Sequence, residues 1–371
     1  MKFLHTADLH LDSAFCALGE TDAQARRARQ RSVLAKIFDL AKAEQCDMML
    51  IAGDLFDSVL ISPETRSLCL ELFEDFKNPI IISPGNHDPF VDGSFYKDKG
   101  IPENVYVFSS SELQYFDFPK LSTTVAGYAF LAAAMPDNPL KAPAPVRHNE
   151  RILLLCAHTE LGVPTSRYAP ALISDIIRYR FDYAALGHVH KHEIFAENVA
   201  YCGFPEGRGF DEQGEGGVMI VSTDGISAPV IKRVTVSERR YISAELSADG
   251  INTQEELAAA LSSAIRAHSG HGLTELRIEL TGNVAPEAIE ELDLLKQDLS
   301  EGLASLEIID STLSLPDKSF LEKDPTLKGE FYRSLRSELY SDDPKTRDRA
   351  LRALKIGLAA IDGKSFTDGD R

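Results

Sequence analysis

The sequence predicts an α/β protein: a two-sheet α/β sandwich, a small α/β unit after it, and a helical tail. Two separate strand–helix alternations and a late change to polar helical patterning carry that prediction. In the first alternation, "MKFLHTA", "DMMLIAG" and "PIIISPG" read as strands because they are short apolar runs bounded by turn residues. Between them, "AQARRARQRSVLAKIFDLAKAEQ" and "PETRSLCLELFEDFK" read as helices, the second with Pro63 near its first turn, where the missing N–H is tolerated. The order β-α-β-α-β implies a largely parallel sheet covered by helices. Seven shorter runs follow, "VYVFSS", "LQYFDF", "TTVAGYAF", "ILLLCAH", "DYAALGHVH", "VAYCG" and "GGVMIVS". They supply the second sheet. The Pro-rich stretch 135–149 between them reads as a surface loop.

A break near 232–240 precedes the second alternation: "YISAELSA", "TQEELAAALSSAIRAH", "LTELRIELTG", "PEAIEELDLLKQDLSEGLA" and "SLEIIDSTLSL". That is β-α-β-α-β within a length adequate for a small domain. Beyond residue 316 the pattern is helical and polar. Phe331, Leu335 and Leu339 fall at four-residue steps, and Leu351, Leu354, Leu358 and Ile361 form a second stripe. The expected organisation is therefore 1–236, 237–316 and 317–371.

Composition narrows the function. Of 371 residues, 44% are hydrophobic and 26% charged, enough for a sizeable core and a well-solvated surface. No apolar stretch reaches the roughly 18–20 residues of a membrane span, and the start, "MKFLHTADLHLD", lacks the apolar core of a secretory signal. Five cysteines without CxxC spacing suit reduced thiols in a cytoplasmic protein and give no support to a zinc ribbon. The net charge of −18 opposes unaided binding to a polyanion, since such affinity comes largely from Lys and Arg displacing counterions.

Five short motifs end apolar runs. "ADLH" offers Asp8 and His10, "AGDLFD" Asp54 and Asp57, "GNHD" Asn86 and His87, "CAHTE" His158, and "GHVH" His188 and His190. Each taken alone fits ordinary turn or capping chemistry. Together they are different, because parallel α/β sheets bind ligands at the carboxyl ends of their strands, where every one of them falls. The pairs Asp8/His10 and His188/His190, two residues apart, would share a face of an extended segment. Nitrogen and hard-oxygen donors without thiolate suit manganese, iron or zinc. Seven donors (Asp8, His10, Asp54, Asn86, His158, His188, His190) exceed one site and suffice for two divalent ions sharing a carboxylate. Two ions about 3.5–4 Å apart hold a hydroxide and clamp the oxygens of an in-line phosphoryl displacement.

The ordered set DxH, GD, GNHD, H and GHxH, spanning residues 8–190, resembles the calcineurin-like metallophosphoesterase superfamily. That resemblance implies a four-layer α/β/β/α sandwich. It also implies one ion on Asp8, His10, Asp54 and His190, with Asp54 bridging to a second ion on Asn86, His158 and His188. His87 would contact the scissile phosphate and protonate the leaving oxygen.

Within the superfamily, "FLHTADLHLDS", "GDLFD" and "GFPEGRGFDEQGEGGVMIV" are similar to the SbcD-type DNA repair exonucleases. Protein phosphatases of the group carry GDxVDRG and GNHE, unlike this chain. The resemblance implies DNA as substrate, manganese as the metal, a capping domain at 237–316, a homodimer and a coiled-coil SbcC-like ATPase partner. The helix at 346–361, with Lys345, Arg347, Arg349, Arg352 and Lys355 nearby, is a candidate docking element, or else packs back on its own domain. Some members have a histidine where this chain has Asp57, which opens the question of cleavage polarity and leaves Asp57 as a turn or supporting carboxylate. Arg208 and the run "RRARQR" (26–31) stand as phosphate contacts or, for the run, a solvated helix face. Two other functions share these motifs, a phosphodiesterase of small nucleotides such as cyclic nucleotides and a non-catalytic scaffold.

Overall fold

A computed structural model describes residues 1–141, 151–268, 273–282, 284–312 and 318–361. Its contacts group the chain into two compact units, Met1–Arg240 and Tyr241–Arg371. The first unit begins β1 (Lys2–Thr6), α1 (Glu20–Ala43), β2 (Met48–Ile51), α2 (Pro63–Phe76), β3 (Ile80–Ile82) and β4 (Val105–Val107). It continues through β5 (Gln114–Phe118), β6 (Thr123–Gly127), β7 (Ile152–His158), α3 (Ile173–Tyr179) and β8 (Tyr183–Gly187). It closes with β9 (Glu193–Ala196), β10 (Val199–Tyr201), β11 (Gly217–Ser222) and β12 (Val230–Thr235).

One sheet has the order β12-β11-β1-β2-β3-β4 and the other β5-β6-β7-β8-β10-β9. Strands β1 to β4 run parallel, as do β6, β7, β8 and β10. The two-residue period of a strand explains why their sequences are apolar throughout. Leu4, Met49, Ile51, Ile80 and Ile82 face α1 and α2. Their neighbours Phe3, Met48, Leu50 and Ile81 face Leu154, Cys156, Tyr183 and Ala185 of the second sheet. On that sheet's far side, Leu153, Leu155, Ala184 and Leu186 pack with Ile176 and Tyr179 of α3. The layers are helix, sheet, sheet, helix, the sandwich that the sequence predicts.

Helix α1 buries Gln30, Val33, Leu34, Ile37, Phe38 and Ala41, the i, i+3, i+4 stripe of an amphipathic helix. Three of its arginines serve carboxylates: Arg27 reaches Glu20 at 2.9 Å, Arg29 reaches Glu238 at 2.8 Å and Arg31 reaches Asp12 at 3.3 Å. Helix α2 starts on Ser62, whose hydroxyl accepts from the Thr65 N–H at 3.2 Å, with Pro63 next.

Two strands escape the sequence reading. β12 occupies the stretch read as a break, and β9 has no apolar run. Both are edge strands with mostly exposed residues, so neither needs the continuous apolarity that betrays a central strand. The Pro-rich loop is described only to residue 141; the rest of 135–149 lies outside the described residues.

In the second unit, β13 (Arg239–Ser247), β14 (Leu273–Thr281) and β15 (Ser305–Asp310) form a three-stranded sheet with β14 central. Helices α4 (Gln254–His268), α5 (Pro286–Ile289) and α6 (Leu292–Leu299) lie between these strands in sequence. Leu257, Leu261 and Ile265 of α4 pack on Leu276, Ile278, Leu280 and Leu306. Residues 313–315 of the last expected strand lie outside the described residues. Helices α7 (Lys318–Lys323), α8 (Leu327–Leu339) and α9 (Pro344–Ile361) follow, sharing a core of Leu321, Tyr332, Leu339, Ala350, Leu354 and Leu358. The apolar stripe of α9 thus packs back on α8. Among the described residues no helix is long and apolar enough to cross a membrane.

Glu206, in the loop after β10, is 6% exposed. Its Oε2 accepts from the Glu238 and Arg239 N–H groups at 2.7 and 3.4 Å, while the buried Oε1 has no hydrogen-bond partner. Burial pushes its carboxyl up to about 7. The folded state therefore holds a proton that the unfolded chain releases above its ordinary value of 4.5, and Glu206 withdraws stability as pH rises through that window. Glu206→Gln removes the liability. Its stability should gain on the wild type by about 1–3 kcal/mol between pH 5 and 8, read as a widening difference in melting temperature; a constant offset would refute this.

Candidate metal centre

The parallel strands put their carboxyl ends along one edge of each sheet, and all five motifs sit there. Asp8 and His10 follow β1, Gly53, Asp54 and Asp57 follow β2, Gly85, Asn86 and His87 follow β3, His158 ends β7, and His188 and His190 follow β8. The first two segments are laced together: Asp8 N–H donates to the Gly53 carbonyl at 3.0 Å and His10 N–H to the Asp54 carbonyl at 3.0 Å. The Asp8/His10 segment is not extended as the sequence spacing suggests. Asp8, His10 and Asp54 take φ of 53°, 46° and 48°, a left-handed conformation unfavourable for non-glycine residues. These turns curl each side chain back over the strand ends.

Glycines precede the ligand candidates because the site has no room beside them. A Cβ on Gly53, at φ +95°, would lie 2.2 Å from His158 Nδ1. A Cβ on Gly85 would lie 2.1 Å from Asp54 Oδ1.

The side chains converge tightly. His158 Nε2 is 3.3 Å from Asp54 Oδ2 and 3.0 Å from Asn86 Oδ1. His10 Nε2 lies 3.6 Å from Asp54 Oδ2 and 3.2 Å from His190 Nε2. His188 Nδ1 lies 3.3 Å from His158 Nε2, and its backbone N–H donates to Asp8 at 3.0 Å. Three overlapping groups have one donor atom per residue all within 4.8 Å: Asp8/His10/His190, His10/Asp54/His87 and Asp8/Asp54/His158. His87, which the sequence reading aims at substrate, is thus also within ligand range of a shared centre. It differs from the others in exposure, at 44% against 2% or less for Asp8, His10, Asp54 and His158.

Electrostatics fit cations. Asp8 and Asp54 are out of water side by side, which is unfavourable for two anions without compensating charge. Burial pushes the Asp8 carboxyl up. For Asp54, burial acts in the same sense, but the neighbouring His158 overrides it and holds the carboxyl below its usual range. Burial opposes charge on His158, yet Asp54 and Asp8 push it up to about 9. The chain itself thus places a proton between these carboxylates, where divalent ions would supply the same positive charge. All the converging donors are nitrogen or oxygen, a set matching manganese, iron or zinc.

Around this centre lies a ring of supports, most of which sequence reasoning missed. Glu212, 1% exposed, lies 2.7 Å from His190 Nδ1 and accepts from Arg208 Nε and backbone N–H at 2.9 and 2.8 Å. Arg208 also reaches Asp57 at 3.1 Å, and the same Asp57 oxygen lies 3.1 Å from His10 Nδ1. One chain of ion pairs therefore orients His10 and His190 together. This is the support that second partners give metal-binding imidazoles. It also occupies Arg208 with carboxylates, and Asp57 takes the supporting position. His158 Nδ1 is fixed by the Ala52 carbonyl at 3.0 Å. Asp88 ties the GNHD turn by accepting from Gly85 N–H, Phe56 N–H and Tyr96 Oη at 2.8, 3.1 and 2.5 Å. Gln30 Nε2, 2.8 Å from the His10 carbonyl, braces the first loop from α1. Only the acid in "RGFDEQ", four residues after Arg208, gave a local hint of this ring.

Residues 1–192 match the family model described as calcineurin-like phosphoesterase. A Bacillus subtilis (strain 168) protein named uncharacterized metallophosphoesterase YhaO is 28% identical over 236 residues, covering 60% of this chain and 57% of that protein. The SbcD component of nuclease SbcCD from Rhodobacter capsulatus is 37% identical over 95 residues, 24% of this chain and 22% of that protein. Its counterpart in nuclease SbcCD from Escherichia coli (strain K12) is 23% identical over 267 residues, 58% of this chain and 63% of that protein. Each match spans less than two thirds of the relative's own length.

The crowding at the strand ends and the bracing of His190 can each be checked by substitution. Gly85→Ala should lose about 1–3 kcal/mol of stability and weaken manganese binding by at least tenfold in a calorimetric titration, whereas Gly19→Ala, with nothing within 4 Å of its Cβ, should do neither. Glu212→Gln should lower manganese affinity by about 10–100-fold with the fold retained in circular dichroism; unchanged affinity would show that His190 needs no such support.

Proposed function

The chain belongs to the calcineurin-like phosphoesterase family, and from that premise we propose that it is a manganese-dependent phosphodiesterase acting on DNA, the nuclease component of a repair complex. The convergence of Asp8, His10, Asp54, Asn86, His158, His188 and His190 beside an exposed His87 supports hydrolysis. The nuclease relatives support DNA as the substrate.

In this proposal Asp8, His10, Asp54 and His190 hold one ion, and Asp54, Asn86, His158 and His188 hold the other. When bound, such ions polarise phosphoryl oxygens and make water nucleophilic near neutral pH. The remaining work belongs to the chain. His87 N–H donates to Asp54 Oδ1 at 3.0 Å, fixing the residue's backbone over the centre. Its Nδ1 lies 3.1 Å from the Asp57 carbonyl, an acceptor for an Nδ1–H hydrogen bond that leaves Nε2 for substrate. As an imidazolium, His87 can then give its Nε2 proton to the departing 3′ oxygen. Asp57 and Glu212, each beside an Nδ1, hold His10 and His190 with Nε2 toward the centre.

An acidic chain is poorly suited to hold DNA alone. The proposal therefore includes the coiled-coil ATPase partner that the sequence resemblance implies, a capping role for the β13–β15 sheet, and a homodimer. The same charge of −18 favours a second reading, a phosphodiesterase of small nucleotides.

A manganese-dependent assay on end-labelled single- and double-stranded DNA, with and without the ATPase, separates the two. The nuclease reading expects cleavage that Asp54→Asn abolishes and His87→Ala slows by about 10²-fold or more. Hydrolysis of a chromogenic phosphodiester with no DNA cleavage, even with the ATPase supplied, would establish the small-substrate reading instead.

A further inference from the structure

The second unit carries a surface that the hydrolytic site does not use. In a chain of net charge −18, the eighteen residues of α9 contain five cations and one aspartate. At 100° per residue, Lys345, Arg349, Arg352 and Ile356 fall within an arc of about 60° on one side of the helix. The opposite arc holds Ala350, Leu354 and Leu358, buried at 1%, 0% and 6% against α8. The cationic arc is exposed along its length.

Two features separate this stripe from an ordinary solvated face. Several surface arginines of this chain meet carboxylates, as Arg66 does Asp98, Arg151 does Asp117 and Arg336 does Glu322. Among the described residues no ion pair involves Lys345, Arg349 or Arg352, and Asp343, just before the helix, accepts from Thr346 N–H and Oγ1 at 3.1 and 2.6 Å. Lys345 also sits in the opening turn of α9, which holds no acidic residue. A cation there opposes the helix dipole. A local arrangement that weakens its own helix needs a compensating interaction.

We propose that the Lys345–Arg349–Arg352 face of α9 binds the phosphate backbone of nucleic acid. This rests on the nuclease reading above. The three charges recur once per helical turn, about 5 Å apart, and the spacing suits successive contacts along a charged polymer. With no hydrogen-bonding partner of fixed geometry among the described residues, they provide the sequence-independent attraction of clustered cations for a polyanion.

The test uses the full chain and a short duplex whose phosphorothioate linkages resist hydrolysis, at constant manganese. The triple variant K345A/R349A/R352A should reduce the slope of log affinity against log salt by about 2.7, the loss of three phosphate contacts at about 0.9 each, and weaken binding at low salt at least tenfold. A charge-preserving variant, R349K/R352K, should restore the wild-type slope, excluding an effect of misfolding. Hydrolysis of a chromogenic phosphodiester should be unchanged in both. An unchanged slope overturns the proposal and leaves the hydrolytic reading intact. Loss of binding to polyglutamate, with DNA binding unaltered, also overturns it and assigns the face to an acidic protein. A lowered slope in a chain that never cleaves DNA supports the surface and sinks the nuclease reading.

Discussion

Two carboxylates held out of water constrain the first unit. Asp8 and Asp54 are 1% and 2% exposed and belong to the same cluster of donors. Anions so placed are tolerable only beside positive charge. Much of the surrounding structure is arranged to supply it or to leave room for it. Imidazoles approach from the second sheet at His158, His188 and His190 and from the first at His10 and His87. His158 is pushed up to about 9 by the two aspartates despite its burial.

That demand explains the backbone. Left-handed turns at Asp8, His10 and Asp54 store local strain, and the lacing of β1's loop to β2's loop holds them there. Glycine at positions 53 and 85 is required by the imidazole and carboxylate that would otherwise meet a Cβ. The sandwich is stiff enough to bear this. Its strands are apolar on both faces and packed between helices, so the strand ends are anchored by three separate cores. A site built on the ends of rigid strands keeps its geometry better than one built on loops alone.

Partners distant in sequence hold the imidazoles in place. The line His10–Asp57–Arg208–Glu212–His190 joins residues from both sheets. It engages Arg208 with both Glu212 and Asp57. Arg27, Arg29 and Arg31 of α1 are likewise committed, to Glu20, Glu238 and Asp12. By contrast the α8–α9 pair consumes its apolar stripe internally and leaves charge outside.

By itself the sequence determined the layered α/β architecture and the positions of the motifs. Both are local properties: apolar runs mark central strands, and turn residues at their ends mark where functional side chains emerge. The convergence of Asp8, His10, Asp54, Asn86, His87, His158, His188 and His190 could be anticipated because parallel strands share one polarity. Only the tertiary structure decided that β9 and β12 are strands, since an edge strand with exposed faces lacks the apolar signature. Only it decided that Glu212 braces His190, and that Arg208 answers to Asp57 across 151 residues of chain. It also decided that α9 turns its leucines inward and its arginines outward. Pairings of that kind depend on how separate segments meet in space, which no periodicity along one segment encodes.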